Sequence, residues 1–222
     1  MKGKSFVLGV LLFALMGFVG CGVKTQDCVL ENMSEVTKVF YFAENEKFYA
    51  TLAIGQREKE YIMDGKSNTN VDFSLLSVCF FENQDKNSIS VSVSINGVSS
   101  AYELEYNPMA NAYMVDLEKK LGGEEKILIS YDGATLELQN LSKQFGVNWE
   151  KAISIACVEL KDKIEKEKQY SDLNGECYLK VMDKRENNFK DFFWCFTILN
   201  NQNESFSIII STVDGTVLAK AK

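Results

Sequence analysis

The chain has 222 residues, with 31 acidic and 24 basic side chains and a formal net charge of −7. A negative chain without a cluster of lysine and arginine is not expected to attract nucleic acid or anionic lipid by charge. The sequence contains no histidine, which excludes a Ser-His-Asp triad, a Cys-His dyad and histidine-ligated zinc.

The first twenty residues have the order of a secretory signal peptide. Two lysines precede an apolar run, and a glycine and a cysteine follow it: Lys2, Lys4, Phe6–Val19, Gly20 and Cys21. The run is shorter than the roughly 20 residues that a membrane-spanning helix needs, so we expect residues 1–20 to be removed during export. The alternative is an uncleaved anchor helix from Ser5 to Val23. Both interpretations place the rest of the chain outside the cytoplasm.

The segment Phe18-Val19-Gly20-Cys21 resembles the bacterial lipobox, although Phe18 stands where that motif usually has leucine. The resemblance implies a bacterial lipoprotein of unknown function, in which Cys21 carries diacylglycerol on its sulfur and becomes the new N-terminus. It also implies localisation on the extracytoplasmic face of the cell membrane, held there by the lipid. Residues 21–35 are then a tether between the membrane and the folded part.

Residues 36–141 contain about seven short predicted strands, the number and spacing of an immunoglobulin-like sandwich. Apolar and polar residues alternate over Ile89–Ile95 and again over Tyr102–Tyr106. Asn96-Gly97 between them favours a tight hairpin turn, and Asp132-Gly133 predicts a second hairpin. The sequence therefore predicts an N-terminal antiparallel β-sandwich in a mainly β protein.

From Trp149 the apolar residues recur every three or four positions, which is typical of an amphipathic helix. Asn148 is the expected N-cap, and the helix should continue to about Lys168. Strands return after it, with Asp214-Gly215 as the last turn. A helix followed by antiparallel strands predicts an α+β domain over residues 142–222, with the helix packed on a small antiparallel sheet.

This C-terminal part resembles the PepSY-type domain of cell-envelope proteins. The resemblance rests on Ala152-Ile153-Ser154-Ile155-Ala156 in the helix and on Phe206–Leu218 in the strands and turn. It implies a helix packed on a small meander that ends in an Asp and Gly turn, and in that family an inhibitory function. Asp214 is directly adjacent to Gly215, whereas the family places its aspartate two or three residues before the glycine.

The six cysteines do not form a disulfide scaffold, because Cys21 is assigned to lipid and the remaining set is odd and lacks a C-x-x-C spacing. Cys79 and Cys195 lie in apolar runs, where a thiol behaves as a small hydrophobic side chain. Cys177 and Cys195 lie on neighbouring predicted strands and could form a bridge if their Cα atoms are close enough.

Arg57, Tyr61 and Asp64 are the candidate ligand-binding residues. Arg57 is one of two arginines, and a guanidinium group suits a carboxylate ligand. The alternative is a surface ion pair with a nearby carboxylate. Tyr61 could offer a stacking face, as could Trp194, although the alternation around Trp194 fits a strand that is covered on both sides.

No Walker loop, dinucleotide fingerprint or calcium loop occurs, so we expect no cofactor, no metal ion and no enzymatic activity. The sequence predicts a lipid-anchored, noncatalytic binding module for a protein or cell-envelope partner. One alternative is a binder of a glycan or small ligand. Another is a hydrolase with a carboxylate pair, which would be assembled in space and not in sequence.

Overall fold

The part of the chain that has a described structure is mainly β. The computed structural model describes residues 25–59, 69–82, 84–169, 172–183 and 191–221. Strands account for 57% and helices for 16%, so strand pairing determines the architecture. The predicted signal peptide and Cys21 lie outside the described residues, as do the candidate residues Tyr61 and Asp64.

In the described part of the first half of the chain, a helical segment is followed by eight strands. Helix α1 covers residues 25–31. The strands are β1 (Met33–Glu44), β2 (Phe48–Glu58), β3 (Asn70–Phe80), β4 (Ser88–Ile95), β5 (Val98–Asn107), β6 (Ala112–Asp116), β7 (Ile127–Tyr131) and β8 (Ala134–Asn140).

The described residues of the second half form two helices and six strands, after a short 3-10 turn at Leu141–Lys143. The elements are α2 (Trp149–Glu159), α3 (Lys161–Glu167), β9 (Lys168–Gln169), β10 (Asp172–Leu173), β11 (Gly175–Met182), β12 (Phe193–Asn200), β13 (Ser205–Ser211) and β14 (Val217–Ala221).

Strands β1 to β8 close into an antiparallel barrel. Their order is β1-β2-β3-β6-β5-β4-β7-β8, and β8 pairs back with β1 where Tyr41 faces Asn140 and Phe42 faces Gln139. The predicted immunoglobulin-like sandwich is therefore wrong. A sandwich and a barrel share the same alternating strands and turns, and only the pairing of the first strand with the last distinguishes them.

Strand β1 also joins the barrel to the strands that follow. Its first residues pair in parallel with β11, with Met33 opposite Cys177 and Val36 opposite Leu179. Strands β12, β13 and β14 continue from β11, so twelve strands form one sheet. The predicted sandwich followed by a C-terminal α+β part is wrong for this reason, because β11 to β14 extend the sheet that forms the barrel.

An irregularity in β1 accompanies this change of partner. The register against β2 shifts between Thr37 and Val39, and Gly55 lies opposite Thr37. A β-bulge bends its strand and increases the local twist, so β1 can leave one part of the sheet and enter the barrel. A Cβ atom at Gly55 would overlap the carbonyl oxygen of Val36, so the bend needs glycine at this position.

Side chains fill the interior of the barrel. In β4 the residues Ile89, Val91 and Val93 are buried, whereas Ser90 and Ser92 are exposed. The buried set from all the barrel strands forms one hydrophobic cluster, which includes Leu52, Leu76, Leu104, Ile127, Ile129 and Leu138. Each such side chain contributes about 1.5–3 kcal/mol by leaving water, so this cluster stabilises the closed form.

A second hydrophobic cluster lies between the helices and strands β11 to β13. Asn148 caps α2 as predicted, because its side chain accepts a hydrogen bond from the backbone nitrogen of Lys151. The predicted continuous helix is two helices, because α2 ends before Leu160 and α3 begins after it. The buried members include Ala152, Ile153, Ala156, Ile164, Phe196 and Ile208.

The two predicted tight hairpins are present. Asn96 and Gly97 have φ angles of 52° and 85° between β4 and β5, and Asp132 and Gly133 have 48° and 74° between β7 and β8. Positive φ at both central residues defines the turn whose twist matches two antiparallel strands. The second of these turns lies beside a large cleft, which is lined by Tyr131 and Asp132.

Candidate functional site

A large cleft lies at one open end of the barrel and has a volume of about 790 Å³. Its walls come from the β1–β2 turn, the β3–β4 loop and the β7–β8 turn. The floor is formed by Phe48, Phe80, Ile89 and Tyr131, which belong to the barrel cluster or pack against it. The cleft is thus a depression above a filled barrel.

Three aromatic rings in this floor pack against one another. The ring centroids of Phe48 and Phe80 are 5.7 Å apart, and those of Phe80 and Tyr131 are 5.1 Å apart. Phe48 and Tyr131 meet nearly edge to face, at 6.2 Å and 82°. Edge-to-face and tilted contacts of this kind stabilise aromatic clusters. The floor is therefore a packed, apolar surface.

The rim of the cleft carries charges of both signs. Three carboxylates and two ammonium groups line it: Glu46, Glu82, Asp132, Lys47 and Lys86. A local turn holds one of the rim segments. The side chain of Asn45 accepts hydrogen bonds from the backbone nitrogens of Lys47 and Phe48, at 2.8 and 3.0 Å, and this fixes the β1–β2 turn.

A second cleft of about 420 Å³ lies directly beside the first. The two clefts share Phe80, Phe81, Glu82 and Gln84 in their walls. The second is lined in addition by Tyr106, Asn111 and Tyr113. We call the two clefts together the barrel-mouth trough.

Tyr113 holds one wall of the trough in place. Its hydroxyl group lies 2.8 Å from the carbonyl oxygens of both Gln84 and Lys86, and it donates to this loop. The ring of Tyr113 also packs on Phe80 and on Tyr106, with centroid distances of 5.7 and 5.2 Å. One buried side chain thereby connects the shared wall to the floor.

Arg57 lies far from the trough and already has a carboxylate partner in its own chain. Its Nη2 atom is 2.6 Å from Oδ2 of Asp116. Phe48 and Arg57 are at opposite ends of β2, which places them roughly 30 Å apart at ~3.3 Å per residue. The structure therefore does not bring Arg57 to the trough, and its predicted partners Tyr61 and Asp64 lie outside the described residues.

Trp194 is buried, as the alternation around it predicted, and it provides no stacking surface. Its exposed fraction is 0%, and its indole nitrogen donates a hydrogen bond of 2.8 Å to the carbonyl oxygen of Val147. Phe193 and Phe196 beside it are equally buried. The strand is thus covered on both faces.

Cysteine placement rules out the bridge considered between Cys177 and Cys195. Cys177 faces Ile198 across the β11–β12 pair, whereas Cys195 faces Lys180. Within the described ranges no cysteine is part of a disulfide. The thiols of Cys28, Cys157 and Cys177 are packed in the second hydrophobic cluster.

Sequence reasoning did not find the trough, because its residues come from separate turns. Glu46, Glu82 and Asp132 are 36 to 86 positions apart in the chain, and only barrel closure brings their turns to one end. The available signals were the Asp132-Gly133 turn and the aromatic pair Phe80-Phe81 at the end of a strand. Neither identifies a site without the strand order.

Comparison with known proteins gives no relative: no protein-family model, curated protein or solved structure matches this chain. The resemblances to bacterial lipoproteins and to the PepSY-type domain therefore stay predictions. Among the described residues, no helix is long and apolar enough to cross a membrane. In the same ranges, no group of three or more cysteine, aspartate or glutamate side chains is arranged to hold a metal ion.

Proposed function

We propose that this chain is a lipid-anchored, extracytoplasmic, noncatalytic binding protein, and that it binds a cell-envelope component in the barrel-mouth trough. The observation that carries the proposal is the aromatic-floored cleft above a filled barrel. The lipid on Cys21 and the location outside the cytoplasm rest on the lipobox-like segment.

The shape of the trough supports a binding role. Ligand sites in proteins are concave, occupy roughly 300–1,000 Å³ and often lie in the mouths of β-barrels. The larger cleft, at about 790 Å³, falls within that range. An apolar floor and a rim of placed polar groups are the usual composition of such sites.

A concave site favours an occupant that can enter it over a flat protein surface. The floor of Phe48, Phe80 and Tyr131 lies below a rim of charged side chains, so a broad protein face would touch the rim before it reached the floor. We therefore propose a narrow envelope component, such as a polymer chain, as the partner. A free small ligand is the second candidate, and the same cleft volume supports it.

The noncatalytic role is part of the proposal. The chain lacks histidine, and a carboxylate-based hydrolase would need two carboxyl groups about 5 to 10 Å apart across the bound ligand. The test below includes this alternative, because an enzyme would cleave the ligand while it is being measured.

The experiment is an NMR titration of the full-length protein, isotope-labelled and extracted in detergent, with a soluble digest of the host cell envelope. We expect chemical-shift changes at Phe80, Phe81, Glu82 and Asp132, and none around Arg57. The variant Phe81→Ala, at a half-exposed position, should weaken the response, whereas Val98→Ala, exposed at 68% at the start of β5, should keep it.

Two results would contradict the proposal. If no shifts change, or if they change on another surface, the trough is not the binding site. If new fragments accumulate during the titration and depend on Glu82 or Asp132, the protein is a hydrolase and the noncatalytic role is wrong.

A further inference from the structure

We infer that the barrel-mouth trough binds a linear oligosaccharide of at least two sugar rings, with Phe81 and Tyr106 as the two stacking faces. This inference rests on the proposed function, and it names the chemical class of the ligand. It follows from the exposed aromatic rings, from the way they are supported and from the charge balance of the rim.

The exposed aromatic side chains are concentrated in the trough. Among the described residues, the large aromatic side chains that are more than a third exposed are Phe81, at 50%, and Tyr106, at 40%. Phe81 belongs to the wall that the two clefts share, and Tyr106 lines the second cleft. Keeping an apolar ring in water is unfavourable, so two such rings in one trough indicate a ligand with apolar faces.

Each exposed ring is supported by a second ring behind it. Tyr49 lies 6.0 Å from Phe81 between centroids, and Tyr113 lies 5.2 Å from Tyr106. The hydroxyl of Tyr106 also donates a hydrogen bond of 2.8 Å to the side chain of Asn111. Binding therefore costs little further ordering of these rings, which is how preorganised sites gain affinity.

Sugar rings match both the exposed aromatic rings and the polar side chains of the trough. One face of a pyranose ring presents polarised C–H groups, and these are attracted to the electron-rich face of an aromatic ring. The edge of the sugar carries hydroxyl groups, each of which can donate and accept a hydrogen bond. Acceptors for them are available on Glu82, and Gln84 offers both an acceptor and donors.

The rim charges favour a ligand without strong charge. Carboxylates of Glu46, Glu82 and Asp132 stand near the ammonium groups of Lys47 and Lys86. A strongly anionic ligand would also meet a chain with a net charge of −7. A neutral polyhydroxyl chain is repelled neither by the rim charges nor by the net negative charge of the protein. Its hydroxyl groups can bind both the carboxylates and the ammonium groups of the rim.

Two stacking faces in adjacent clefts require two rings in one ligand. A single sugar could cover Phe81 or Tyr106, whereas a chain could cover both at once and gain from the linkage. The structure therefore predicts that affinity rises with the number of linked sugars, and that Tyr106 is responsible for the increase.

The test measures dissociation constants by NMR or calorimetry for the full-length protein in a detergent without a sugar head group. The probes are the tetrasaccharides of β-1,4-linked N-acetylglucosamine, β-1,4-linked glucose and α-1,4-linked glucose, each beside its monosaccharide. We expect at least one tetrasaccharide to bind more tightly than its monosaccharide by roughly tenfold.

Four variants test whether Phe81 and Tyr106 cause the tighter binding of the tetrasaccharide. Phe81→Ala should raise the dissociation constant for the tetrasaccharide roughly three- to tenfold, because the stacking contact between a sugar ring and Phe81 is lost. Tyr106→Ala should remove the advantage of the tetrasaccharide over the monosaccharide. Tyr106→Phe keeps the ring and should retain that advantage. Met109→Ala, at a side chain 96% exposed beside the second cleft, is the matched control and should bind as the wild type does.

The inference is overturned if none of the three tetrasaccharides shows saturable binding up to about 10 mM, or if Phe81→Ala binds the tetrasaccharide as well as the wild type. The envelope digest separates the two proposals. If the digest moves the trough signals and the saccharides do not, the ligand class is wrong and the binding site is right. If neither moves them, both proposals fail.

Discussion

The guanidinium group of Arg57 bridges β2 to the end of β6, across the intervening strand β3, through its 2.6 Å contact with Asp116. The guanidinium carbon also lies 5.3 Å from the ring centroid of Phe73. The other carboxylate oxygen of Asp116 accepts hydrogen bonds from the backbone nitrogens of Ser74 and Glu118, at 3.3 and 3.0 Å. The carboxylate that this arginine binds thus belongs to the barrel itself.

We predict that Arg57→Ala lowers the free energy of unfolding by about 1 kcal/mol, because the contact with Asp116 and the stacking on Phe73 are both lost. The two side chains of the pair are 40% and 23% exposed, so the loss should be smaller at high salt. Urea unfolding at low and high ionic strength measures it. Lys126→Ala, which breaks the more exposed pair with Glu137, should change little. Equal, negligible effects of both variants would contradict a stabilising role for Arg57.

Replacement of Gly55 by alanine should destabilise the protein much more than the same replacement at Gly122. Gly55→Ala should cost about 3 kcal/mol or more, because the new Cβ atom would overlap the backbone of Val36 at the bend in β1. Gly122→Ala is the control, since its nearest new contact would be Glu125 Oε1 at 3.8 Å. Chemical unfolding of both variants decides the matter. If the two variants unfold at the same urea concentration, the bend in β1 does not need glycine at position 55.

Local structure was predictable from the sequence where a short segment determines it. Asn96-Gly97 and Asp132-Gly133 form the expected hairpins, and Asn148 caps α2 as expected. Barrel closure was not predictable, because the alternation within β1 and β8 records which faces are buried and not which strands pair. Strand β6 also inserts between β3 and β5, so the order in space differs from the order in the chain.

The candidate site could not be predicted, because it depends on the strand order of the barrel. Phe81 and Tyr106 are 25 positions apart and lie at the ends of different strands, and they share a trough only because β6 lies between β3 and β5. Arg57 stood out in the sequence as a rare residue type among acidic neighbours. Its partner, Asp116, is 59 positions away in sequence, so local patterns do not connect the two residues.

The pH dependence of stability should report the environment of Tyr41. Burial, together with the negative charges of Glu125 and Glu124, raises the pKa of Tyr41 to about 12. In the unfolded chain a tyrosine ionises near pH 10. The folded state thus binds the tyrosine proton more tightly than the unfolded state does. The contribution of Tyr41 to the free energy of unfolding is therefore fully present below about pH 10. It falls by up to about 3 kcal/mol as the pH rises from about 10 through about 12.

Tyr41→Phe removes this ionisation and also the hydrogen bond to the carbonyl oxygen of Glu125. The wild type should therefore lose stability relative to Tyr41→Phe above about pH 10, while the difference between them stays constant at lower pH. Urea midpoints of both proteins between about pH 8 and about pH 11 measure this. Parallel curves over the whole range would show that the hydroxyl is not buried as described.

Thiol reactivity should separate the buried cysteines from Cys195. Burial raises the pKa of Cys157 to about 12, with the nearby Cys28 adding to the effect, and burial raises the pKa of Cys177 well above its ordinary value. The thiolate is the reactive form, so these two residues should be alkylated slowly in the folded protein. Cys195 is partly exposed and should react first.

Iodoacetamide labelling followed by peptide mass analysis gives the rate at each cysteine. Cys195→Ser should remove the fast reaction, and denaturant should make all the thiols reactive. If Cys157 in the folded protein reacts as fast as Cys195, Cys157 is not buried in the second hydrophobic cluster.

Export and lipid attachment are the central claim, because a trough that stays in the cytoplasm meets no envelope component. The direct measurement is the intact mass of the membrane-extracted protein beside a Cys21→Ser variant. We predict that the native protein begins at Cys21 and carries a diacylglycerol-sized increment, and that the variant keeps residues 1–20. If both proteins keep residues 1–20 and neither carries lipid, the lipoprotein assignment is wrong and an uncleaved anchor helix holds the chain instead.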